Sequence, residues 1–429
     1  MPDTPIAAAP AVPHDPYAAL RIPAFRWFVG SMLTMTLAAQ IQSVVVGWQV
    51  YDLTKDPLSL GLMGLAEALP YISMALWAGH VADRGNRRRI ALVALTVLVG
   101  CSAALLALTA SGAAARGHLG LLAIYGVIVV SGLARSFLQP ARQGMNAEIV
   151  PRPLFPNAVT WRTSVWQTAA VLGPAAGGML YGFGGPRVAY TVDTSLMVVA
   201  LLTLARVAYV AAPRVASPDA ERIWTSLMTG VRYVLKQPVL AGAMTLDMFA
   251  VFFGGATALL PVFADEVLKV GPQGLGLLRA APAAGAVTMS LILAHRPPMR
   301  RAGRRLFACV ATFGACMIGF ALSRHVWLSL LLLAASGAVD MVSVVIRSTL
   351  LQSWTPTHLM GRVSSVNSIF VGSSNEIGMF ESGVAAKALG TVPSVIFGGC
   401  MTLVVVALTA WRVPILRRLD RLESPKGVT

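Results

Sequence analysis

Apolar segments long enough to cross a lipid bilayer recur along almost the whole chain. Each is roughly 20 residues long, the length that an α-helix needs to span the hydrocarbon core. We predict twelve such spans, at residues 26–50, 58–80, 88–110, 119–139, 157–180, 187–211, 238–262, 273–294, 305–323, 326–349, 362–387 and 392–412. The pattern predicts an all-α integral membrane protein whose helices fall into two sets of six.

The charged fraction of the chain agrees with this class. Only 12% of the residues are charged, whereas soluble domains carry about a quarter. The first 20 residues lack a basic stretch followed by a continuous apolar run, so we predict no cleaved signal peptide and expect the first span to direct insertion. The four cysteines lie in apolar segments without a CxxC spacing, and the six histidines form no ligand pattern, so we expect no metal and no cofactor.

The net charge of +16 is distributed unevenly between the two sides of the predicted bundle. With the N-terminus inside, the inner segments hold 24 of the 34 Lys and Arg residues and the outer connections hold six. This asymmetry follows the positive-inside rule and places both termini in the cytoplasm, as expected for a multi-pass protein of the bacterial cytoplasmic membrane. It accounts for the positive charge without nucleic acid, since no basic groove with interleaved aromatic residues occurs in the sequence.

A polar stretch separates the two sets of spans and suggests the domain boundaries. Residues 212–237 begin polar and then become amphipathic, with Ile223, Leu227, Val231 and Leu235 repeating every four residues. Such a pattern is typical of a short helix at the membrane surface. We therefore predict an N-terminal half at 1–211 with a cytoplasmic arm at 1–24, a cytoplasmic linker at 212–237, a C-terminal half at 238–413 and a cytoplasmic tail at 414–429.

The two halves carry a weak internal repeat. The stretch DPLSLGLM at 56–63 matches GPQGLGLL at 271–278 with an offset of 215, and Arg142 matches Arg347 with an offset of 205. Chance similarity between apolar sequences is the alternative, although shared Pro, Gly and Arg positions argue against it. A duplicated six-helix unit implies a two-fold pseudo-symmetric bundle with its transport pathway at the interface.

The charges of the N-terminal half are concentrated in one short turn between the second and third spans. Asp83 is the only acid in this turn, and it is accompanied by four arginines, Arg84, Arg87, Arg88 and Arg89. Gly79 allows close approach of a neighbouring helix, and Gly85 and Asn86 tolerate left-handed backbone geometry. From the spacing alone, the turn is either a basic topology anchor with an incidental acid or a functional ion-pair site.

This turn resembles the signature loop of the major facilitator superfamily, Gly-x-x-x-Asp-Arg-x-Gly-Arg-Arg. The matching residues are Gly79, Asp83, Arg84, Arg87 and Arg88, while Asn86 stands in the usual glycine position. The resemblance implies a twelve-helix fold with two pseudo-symmetric halves, in which the loop acts as a cytoplasmic latch that breaks and re-forms during alternating access. It gives Asp83 the role of the latch and the arginines the role of its partners.

A second motif, in the fifth predicted span, resembles the Gly-Pro-x-x-Gly-Gly motif of exporters in this superfamily. It consists of Gly173, Pro174, Gly177 and Gly178. Pro174 removes a helix hydrogen bond and the glycines form a close-packing face, while the resemblance adds the direction of transport, which is export. Longer stretches, including QPARQGMNAEIVP and LMTGVRYVLKQPVL, resemble the branch that contains the bacterial enterobactin exporter and the transmembrane secretion effectors.

Several ionisable residues fall inside the predicted spans, where each costs roughly 2.5–3.5 kcal/mol at the bilayer centre unless it has a partner or faces water. They are Glu67, Arg135, Asp193, Asp247, Asp340, Glu376 and Glu381. We expect Asp193, which is close in sequence to Arg187, to be structural. For proton coupling we consider Asp247 and Glu67 first and Glu376 next, because carboxyl groups in apolar sites are suited to proton exchange.

Arg135 and Asp340 occupy matching positions in the two halves, and each stands seven residues before a matching arginine, Arg142 or Arg347. Opposite charges at pseudo-symmetric positions suggest a gate pair that comes closer when the cavity opens outward. Pairing of each charge within its own half is the alternative. Arg135 also resembles the arginine in the fourth helix of proton-coupled exporters, although Gln139 is one residue late for that pattern. Further candidates for the cavity lining are the polar residues Gln40, Gln42 and Asn375.

These observations favour a secondary active transporter that exports a small molecule by proton-coupled alternating access. A siderophore or related metabolite is the first expectation for the substrate, and a broad range of hydrophobic drugs is the second. A transporter-like membrane sensor is a further alternative, which the complete latch motif disfavours. The sequence has no nucleophile–base spacing, HExxH motif or phosphate-binding loop to indicate an enzyme, and the duplicated halves argue against a channel. The expected partners are the substrate, protons and lipid, and we expect a monomer.

Overall fold

The structure is a computed structural model that describes residues 15–115, 117–209, 223–254, 256–296, 299, 301–356 and 359–420. All regular structure within these residues is helical. The α-helices are α1 (Pro23–Thr54), α2 (Pro57–Arg84), α3 (Arg87–Ala110), α4 (Gly117–Ile149), α5 (Phe155–Ala205), α6 (Ile223–Lys236), α7 (Pro238–Phe253), α8 (Leu260–Val262), α9 (Gly271–Ala294), α10 (Ala302–Leu322), α11 (Val326–Trp354), α12 (Met360–Leu389), α13 (Thr391–Arg412) and α14 (Pro414–Arg417). Parts of the predicted arm, linker and tail, at 1–14, 210–222 and 421–429, lie outside the described residues.

Ten stretches of the described residues are long and apolar enough to cross a membrane. One of them, Arg152–Ala205, is 54 residues long and holds two of the predicted spans. The eleventh predicted span is α12, a helix of 30 residues that packs against α2, α7 and α13. All twelve predicted spans are therefore helical over most of their length.

The fifth and sixth predicted spans form one helix, α5, that is broken at Gly185. Gly185 has φ +74° and ψ 177°, a conformation that glycine adopts readily and other residues rarely adopt. Pro186 follows and begins the second segment, where its fixed φ suits the first helical turn. The sixth span was predicted to reach residue 211, but α5 ends at Ala205.

The seventh span differs from the prediction, which extended one helix to residue 262. α7 ends at Phe253, and the chain continues through a 3₁₀ turn at Ala256–Leu259, the short α8 and a π-helical turn at Phe263–Val267. The break begins at Gly254, where a Cβ atom would lie 2.4 Å from the Cε1 atom of Phe313. A glycine at this position leaves room for the ring of Phe313.

The two halves meet along two helix pairs, α2 with α12 and α5 with α9. Each pair crosses at two glycines. A Cβ atom on Gly61 would lie 3.1 Å from the Cα atom of Gly383, and one on Gly276 would lie 2.9 Å from the Cα atom of Gly178. Gly61 and Gly276 are 215 residues apart, and Gly178 and Gly383 are 205 apart, the same offsets as in the sequence repeat. The two contacts are thus related by the pseudo-two-fold symmetry that the repeat predicts.

The apolar core shared by the two halves lies near one end of the bundle. Trp48 and Tyr51 of α1 belong there to one cluster with Phe263, Leu275 and Phe320 of the C-terminal half. We call this the closed end. At the opposite end, which carries the turn between α2 and α3, the core clusters of the described residues each belong to a single half. We call this the open end.

Candidate functional site

A large cavity lies between the two halves and consists of two lobes. The N lobe, about 610 Å³, is lined mainly by α1, α2, α4 and α5. The C lobe, about 710 Å³, is lined mainly by α7, α9, α10 and α11. α12 lines both lobes, and both are bordered by Gln40, Trp166, Gly372, Glu376 and Met379. Cavities of this size accommodate a drug-sized molecule.

At the closed end, polar side chains at the C-terminal end of α1 contact the π-helical turn of the other half. The Nζ atom of Lys55 lies 2.9 Å from the carboxylate of Asp265. This hydrogen bond, opposed by partial burial, raises the pKa of Lys55 above its ordinary value. Nearby, the hydroxyl of Tyr51 donates a hydrogen bond to Glu266. Together these contacts hold the two halves against each other.

A second ion pair joins α2 to α12 at the same end. The Nζ atom of Lys387 lies 2.9 Å from Asp56. Asp56 also caps α2, because its side chain accepts a hydrogen bond from the backbone N–H of Leu58 at 3.2 Å. From the sequence, Lys387 was only one of six basic residues in outer connections, and its partner was not predicted.

In the N lobe, Arg135 of α4 forms an ion pair with Glu67 of α2. Both side chains are about one-third exposed, at 31% and 32%, because they face the lobe. Asp340, the matching residue of the other half, lines the C lobe. Among the described residues Arg135 and Asp340 form no ion pair, so in this structure Arg135 is paired within its own half.

In the C lobe, Arg347 of α11 forms an ion pair with Asp247 of α7, and both side chains are buried, at 12% and 7% exposure. Asp340 stands seven residues before Arg347, on the same face of α11 and within its electrostatic reach. The Nε atom of Arg347 is buried without a hydrogen-bond partner. Asp340 therefore lies near an arginine that is already paired with Asp247.

Glu376 of α12 lies where the two lobes meet. Its Oε2 atom is buried and has no hydrogen-bond partner. Glu67 and Arg135 lie within its electrostatic reach. Of the three carboxyl groups considered for proton coupling, Glu67 and Asp247 are in ion pairs, whereas Glu376 forms none with the described residues.

The polar residues considered for the cavity lining are divided between cavity and core. Gln40 lines both lobes and Asn375 lines the C lobe. Gln42 is instead buried and donates to Ser102 at 3.1 Å and to Asp193 at 3.3 Å. Residues two positions apart on a helix point to nearly opposite sides, so Gln42 faces the core of its own half when Gln40 faces the lobes. It lines only an adjoining void of about 40 Å³.

Asp193 is fully buried and lines neither lobe. Its partner is Gln42, as described above. The nearby Arg187 donates instead to the carbonyl oxygen of Ala110 at 2.8 Å, so the expected proximity to Asp193 does not produce an ion pair. Glu381 also lines neither lobe.

Arg279 of α9 is a functional candidate that the sequence analysis missed. It lines the C lobe, and its Nη1 atom donates to the carbonyl oxygen of Ser43 in α1 at 2.7 Å. This hydrogen bond connects the two halves inside the membrane. Arg279 lies inside a predicted span, as Arg135 does, and this position could have identified it as a candidate.

The charged turn between α2 and α3 forms a short chain of ion pairs. Arg87 lies 3.2 Å from Asp83 and 2.8 Å from Glu148 of α4. A Cβ atom on Gly144 would lie 2.4 Å from the Nε atom of Arg87, so a glycine there leaves room for the guanidinium group. Glu148 was not predicted as a site residue, although it is the acidic residue of QPARQGMNAEIVP, a stretch that carried the family resemblance.

The remaining arginines of the motif differ in their contacts. Arg88 donates to the carbonyl oxygen of Ala205, at the end of α5, at 2.5 Å. Arg84 is exposed to solvent. The contacts of the motif among the described residues thus connect α3 to α4 and α5 within the N-terminal half.

Two capacities that the sequence suggested for this turn are not used in this structure. Gly85 and Asn86 have φ −86° and −71°, so neither adopts left-handed geometry. Asn86 instead caps α3, and its side chain accepts a hydrogen bond from the backbone N–H of Arg89 at 3.1 Å. A Cβ atom on Gly79 would have no neighbouring atom within 4 Å, so no helix approaches closely there in this structure.

The glycine motif of α5 has the predicted close packing, on two sides of the helix. Gly173 and Gly177 face α1, where added Cβ atoms would lie 2.5 Å and 3.1 Å from the nearest atoms. On the other side, Gly178 and the carbonyl oxygen of Pro174 contact Gly276 of α9. The motif therefore lets α5 pack closely against both its own half and the opposite half.

Two pseudo-symmetric helical halves, a charged cavity between them and the loop motif define a transporter of the major facilitator superfamily. The family model described as transmembrane secretion effector matches residues 14–426. The chain belongs to this family, and it is accordingly a multi-pass membrane transporter.

The chain is similar over nearly its full length to two proteins of known activity. The enterobactin exporter EntS of Salmonella typhimurium is 25% identical over 404 residues, which cover 91% of this chain and 94% of the relative. The multidrug efflux pump Tap of Mycolicibacterium fortuitum is 25% identical over 409 residues, which cover 92% and 96%. Both relatives are exporters.

Solved structures confirm the fold. A bacterial homologue of the iron transporter ferroportin in an inward-facing state matches with a TM-score of 0.71 and 15% identity, over 93% of this chain and 99% of the other. A D-xylose–proton symporter matches with a TM-score of 0.67 and 13% identity, over 92% and 98%. At these identities the likeness concerns the fold alone.

Proposed function

We propose that this protein exports a small molecule across the bacterial cytoplasmic membrane by alternating access, driven by proton influx. The observation that carries the proposal is the cavity between the halves, which is lined by acidic residues of both halves and lies beneath a closed end. Similarity to an enterobactin exporter and to a multidrug efflux pump supports the direction of transport.

The distribution of charge supports an orientation in which the open end faces the cytoplasm. The turn between α2 and α3 carries four arginines at this end, and the region at the start of α10 carries several more. The closed end carries isolated basic residues, of which Lys55 and Lys387 are in ion pairs. The positive-inside rule then places the open end in the cytoplasm. In this orientation the substrate enters the cavity from the cytoplasm and leaves when the closed end opens.

Glu376 is, in this proposal, the residue that carries the proton. It faces the cavity without an ion pair of its own, so its protonation breaks none. Protonation of Glu67 would release Arg135, and protonation of Asp247 would release Arg347. Either event would leave a basic side chain uncompensated within the membrane, which is costly. Glu67 and Asp247 are therefore second candidates, and they require that their arginines first find other partners.

The charged contacts at the two ends suggest how the cycle proceeds. Opening of the closed end requires two ion pairs to break, Lys55–Asp265 and Lys387–Asp56. Exposed pairs of this kind contribute about 1 kcal/mol or less each, so a modest difference in free energy is enough to shift the balance. Asp83 at the open end is the proposed latch. Its pair with Arg87 lies within the N-terminal half and is present while this end is open, so in this proposal Asp83 makes further contacts when the end closes.

A siderophore-like metabolite is the first candidate substrate, and hydrophobic drugs are the second. EntS and Tap are equally similar to this chain at 25% identity, so the relatives support both. The cavity contains charged groups of both signs together with apolar side chains such as Met32 and Phe313. Such a lining suits amphipathic molecules of either class.

Transport by the purified protein in proteoliposomes under an imposed pH gradient tests the proposal. The panel contains catecholates, dyes and antibiotics, and Glu376→Gln is compared with Glu381→Gln, a substitution on the same helix outside both lobes. We expect gradient-dependent accumulation of at least one compound, lost in Glu376→Gln and kept in Glu381→Gln. Gradient-independent transport would contradict proton coupling. Binding without transport of any compound would favour the sensor alternative.

A further inference from the structure

Two arginines of the N lobe stand without an acidic partner in the described part of the chain. Arg142 of α4 and Arg162 of α5 line this lobe but form no ion pair with the described residues, unlike the paired Arg135. The Nη1 atom of Arg142 contacts the sulfur of Met35 at 3.4 Å, and a thioether is a weak acceptor. The Nε atom of Arg162 is buried and has no hydrogen-bond partner. Both guanidinium groups therefore have unused hydrogen-bonding capacity.

The two groups are also close enough to interact unfavourably with each other. Arg142 and Arg162 stand on different helices, so nothing in the local backbone forces them together. Basic side chains inside the membrane normally have a partner or face water, because an unpaired charge is costly in an apolar environment. An anion bound between them would compensate both charges and accept their free N–H groups.

We infer that Arg142 and Arg162 bind an anionic group of the transported molecule, an inference that rests on the export function proposed above. The planar guanidinium fork suits carboxylate, phosphate and similar oxyanions, which it binds through paired hydrogen bonds. Gln40 and Gln139 line the same lobe and supply further donors and acceptors. Arg135, with its paired carboxylate, stands two helical turns, about 10 Å, further from the open end than Arg142.

The rest of the lobe indicates the body of the ligand. Trp166 is 51% exposed and lines the lobe together with Tyr71, so two aromatic side chains border the space beside the arginines. Aromatic rings offer a large, rigid contact surface for an apolar or aromatic partner. The lobe of about 610 Å³ has room for a drug-sized molecule. The ligand class is therefore an amphipathic organic anion with an aromatic or apolar body.

The C lobe carries mainly acidic side chains, whereas the N lobe carries the two arginines, so the two lobes are suited to different ligands: protons in the C lobe and an anion in the N lobe. Asp247, Asp340 and Glu376 line the C lobe, where Arg279 donates to the carbonyl oxygen of Ser43, whereas Arg142 and Arg162 line only the N lobe. An anion bound on the N side leaves Glu376 free to exchange its proton. A cationic dye would meet two unpaired positive charges in the N lobe and should bind more weakly than an anion of the same size.

Calorimetric titration of the purified full-length protein with 2-naphthoate and with its neutral counterpart 2-naphthamide tests the inference. The two probes share the aromatic body and differ in charge. We expect the wild-type protein to bind the carboxylate at least about tenfold more tightly, since hydrogen bonds between charged groups are stronger than those to a neutral amide. Arg142→Gln and Arg162→Gln should each lose most of this preference. Arg152→Gln, which removes an exposed arginine outside the lobe, should keep it.

The outcomes separate this inference from the proposed function. Equal wild-type affinity for the two probes, or a preference that survives both substitutions, would overturn the anion site whatever the transport assay shows. Anion-selective binding without gradient-driven transport would leave the site standing and remove the export function. If a glutamine variant does not fold, Arg142→Lys and Arg162→Lys keep the charge but lose the fork, and we expect them to retain part of the preference.

Discussion

The ammonium group of Lys55, in the N-terminal half, lies 2.9 Å from the carboxylate of Asp265, in the C-terminal half. Lys55 ends α1 in a left-handed conformation with φ +48°, and Lys269, one residue before the position that matches Lys55 at the offset of 215, has φ +53°. The pseudo-symmetric backbone thus brings a basic residue of one half to the acidic π-helical turn of the other. This pair is a direct contact that must break before the closed end opens.

Removing this pair should therefore favour opening of the closed end. In Lys55→Gln the hydrogen bond to Asp265 loses its charge, and exposed pairs contribute about 1 kcal/mol or less, so the population opened at this end should rise by up to about fivefold. Alkylation of a Gln40→Cys variant from the outside of intact cells measures this population. Lys236→Gln, a lysine of α6 in the central segment, is the control and should leave the alkylation rate unchanged. An unchanged rate in Lys55→Gln would show that the pair does not hold the end closed.

The same pair predicts a pH range in which the stability of the closed end does not depend on the charge of Lys55. The hydrogen bond to Asp265 raises the pKa of Lys55, so its stabilising effect is complete below the ordinary pKa of lysine and is lost only as the pH rises through the raised value. Between about pH 6 and 9 Lys55 stays charged. We expect the pH profile of transport to have the same shape in Lys55→Gln as in the wild type. A displaced profile would assign the pH dependence to the closed end.

Asp83→Asn should slow turnover without weakening the fold. Asp83 is 76% exposed, and its ion pair with Arg87 contributes little to stability. Arg87 keeps its contact with Glu148 in the variant. We expect an unchanged melting temperature and a transport rate reduced severalfold, measured in proteoliposomes. Arg87→Gln breaks both contacts and should lower the melting temperature as well. Wild-type turnover in Asp83→Asn would remove the latch from the mechanism.

Charge-swap variants distinguish the gate pair from pairing within one half. Because Arg135 is paired with Glu67, the combination Glu67→Arg and Arg135→Glu should restore part of the activity lost in each single variant. Breaking a buried pair costs about 3–5 kcal/mol, and the partial exposure of this one reduces that figure. The combination Arg135→Asp and Asp340→Arg should give no such recovery. Recovery in the second combination would show that the gate pair forms in another state of the cycle.

Sequence reasoning located the helices because their signal is long and strongly apolar. It failed at two helix ends. α7 ends at Phe253 instead of continuing to residue 262, and α5 ends at Ala205 instead of reaching residue 211, whereas the break at Gly185 falls between the predicted spans 157–180 and 187–211. Neither helix end has a periodic signature. The offsets of the repeat, in contrast, also relate the four crossing glycines, although the crossings themselves were not predicted.

The cavity was predicted less well than the fold, for a related reason. An ionisable residue inside a span signals that it has a partner or faces water, but its sequence position does not say which. The sequence placed Gln40 and Gln42 together, although a helix turns them to nearly opposite sides. It passed over Arg279 and Arg162, whose importance comes from what lies across the cavity. Partners contributed by distant helices have no local signature.

The crossing glycines provide the last prediction. A Cβ atom on Gly276 would lie 2.6 Å from the carbonyl oxygen of Pro174, so Gly276→Ala must separate α5 from α9 at the closed end. Overpacking of this kind costs about 1–3 kcal/mol. We expect Gly276→Ala to increase outside alkylation of the Gln40→Cys background at least severalfold and to slow export, because the closed end no longer seals.

Gly100→Ala is the matched control, since a Cβ atom there would have no neighbour within 4 Å. Gly61→Ala tests the pseudo-symmetric crossing and should act in the same direction, because its Cβ atom would lie 3.1 Å from the Cα atom of Gly383. Because this distance is longer than the 2.6 Å at Gly276, Gly61→Ala should increase the alkylation rate less than Gly276→Ala does. If both variants transport and label like the wild type, close packing at these crossings does not control access to the cavity, and the polar contacts of Lys55 and Lys387 must hold the closed end by themselves.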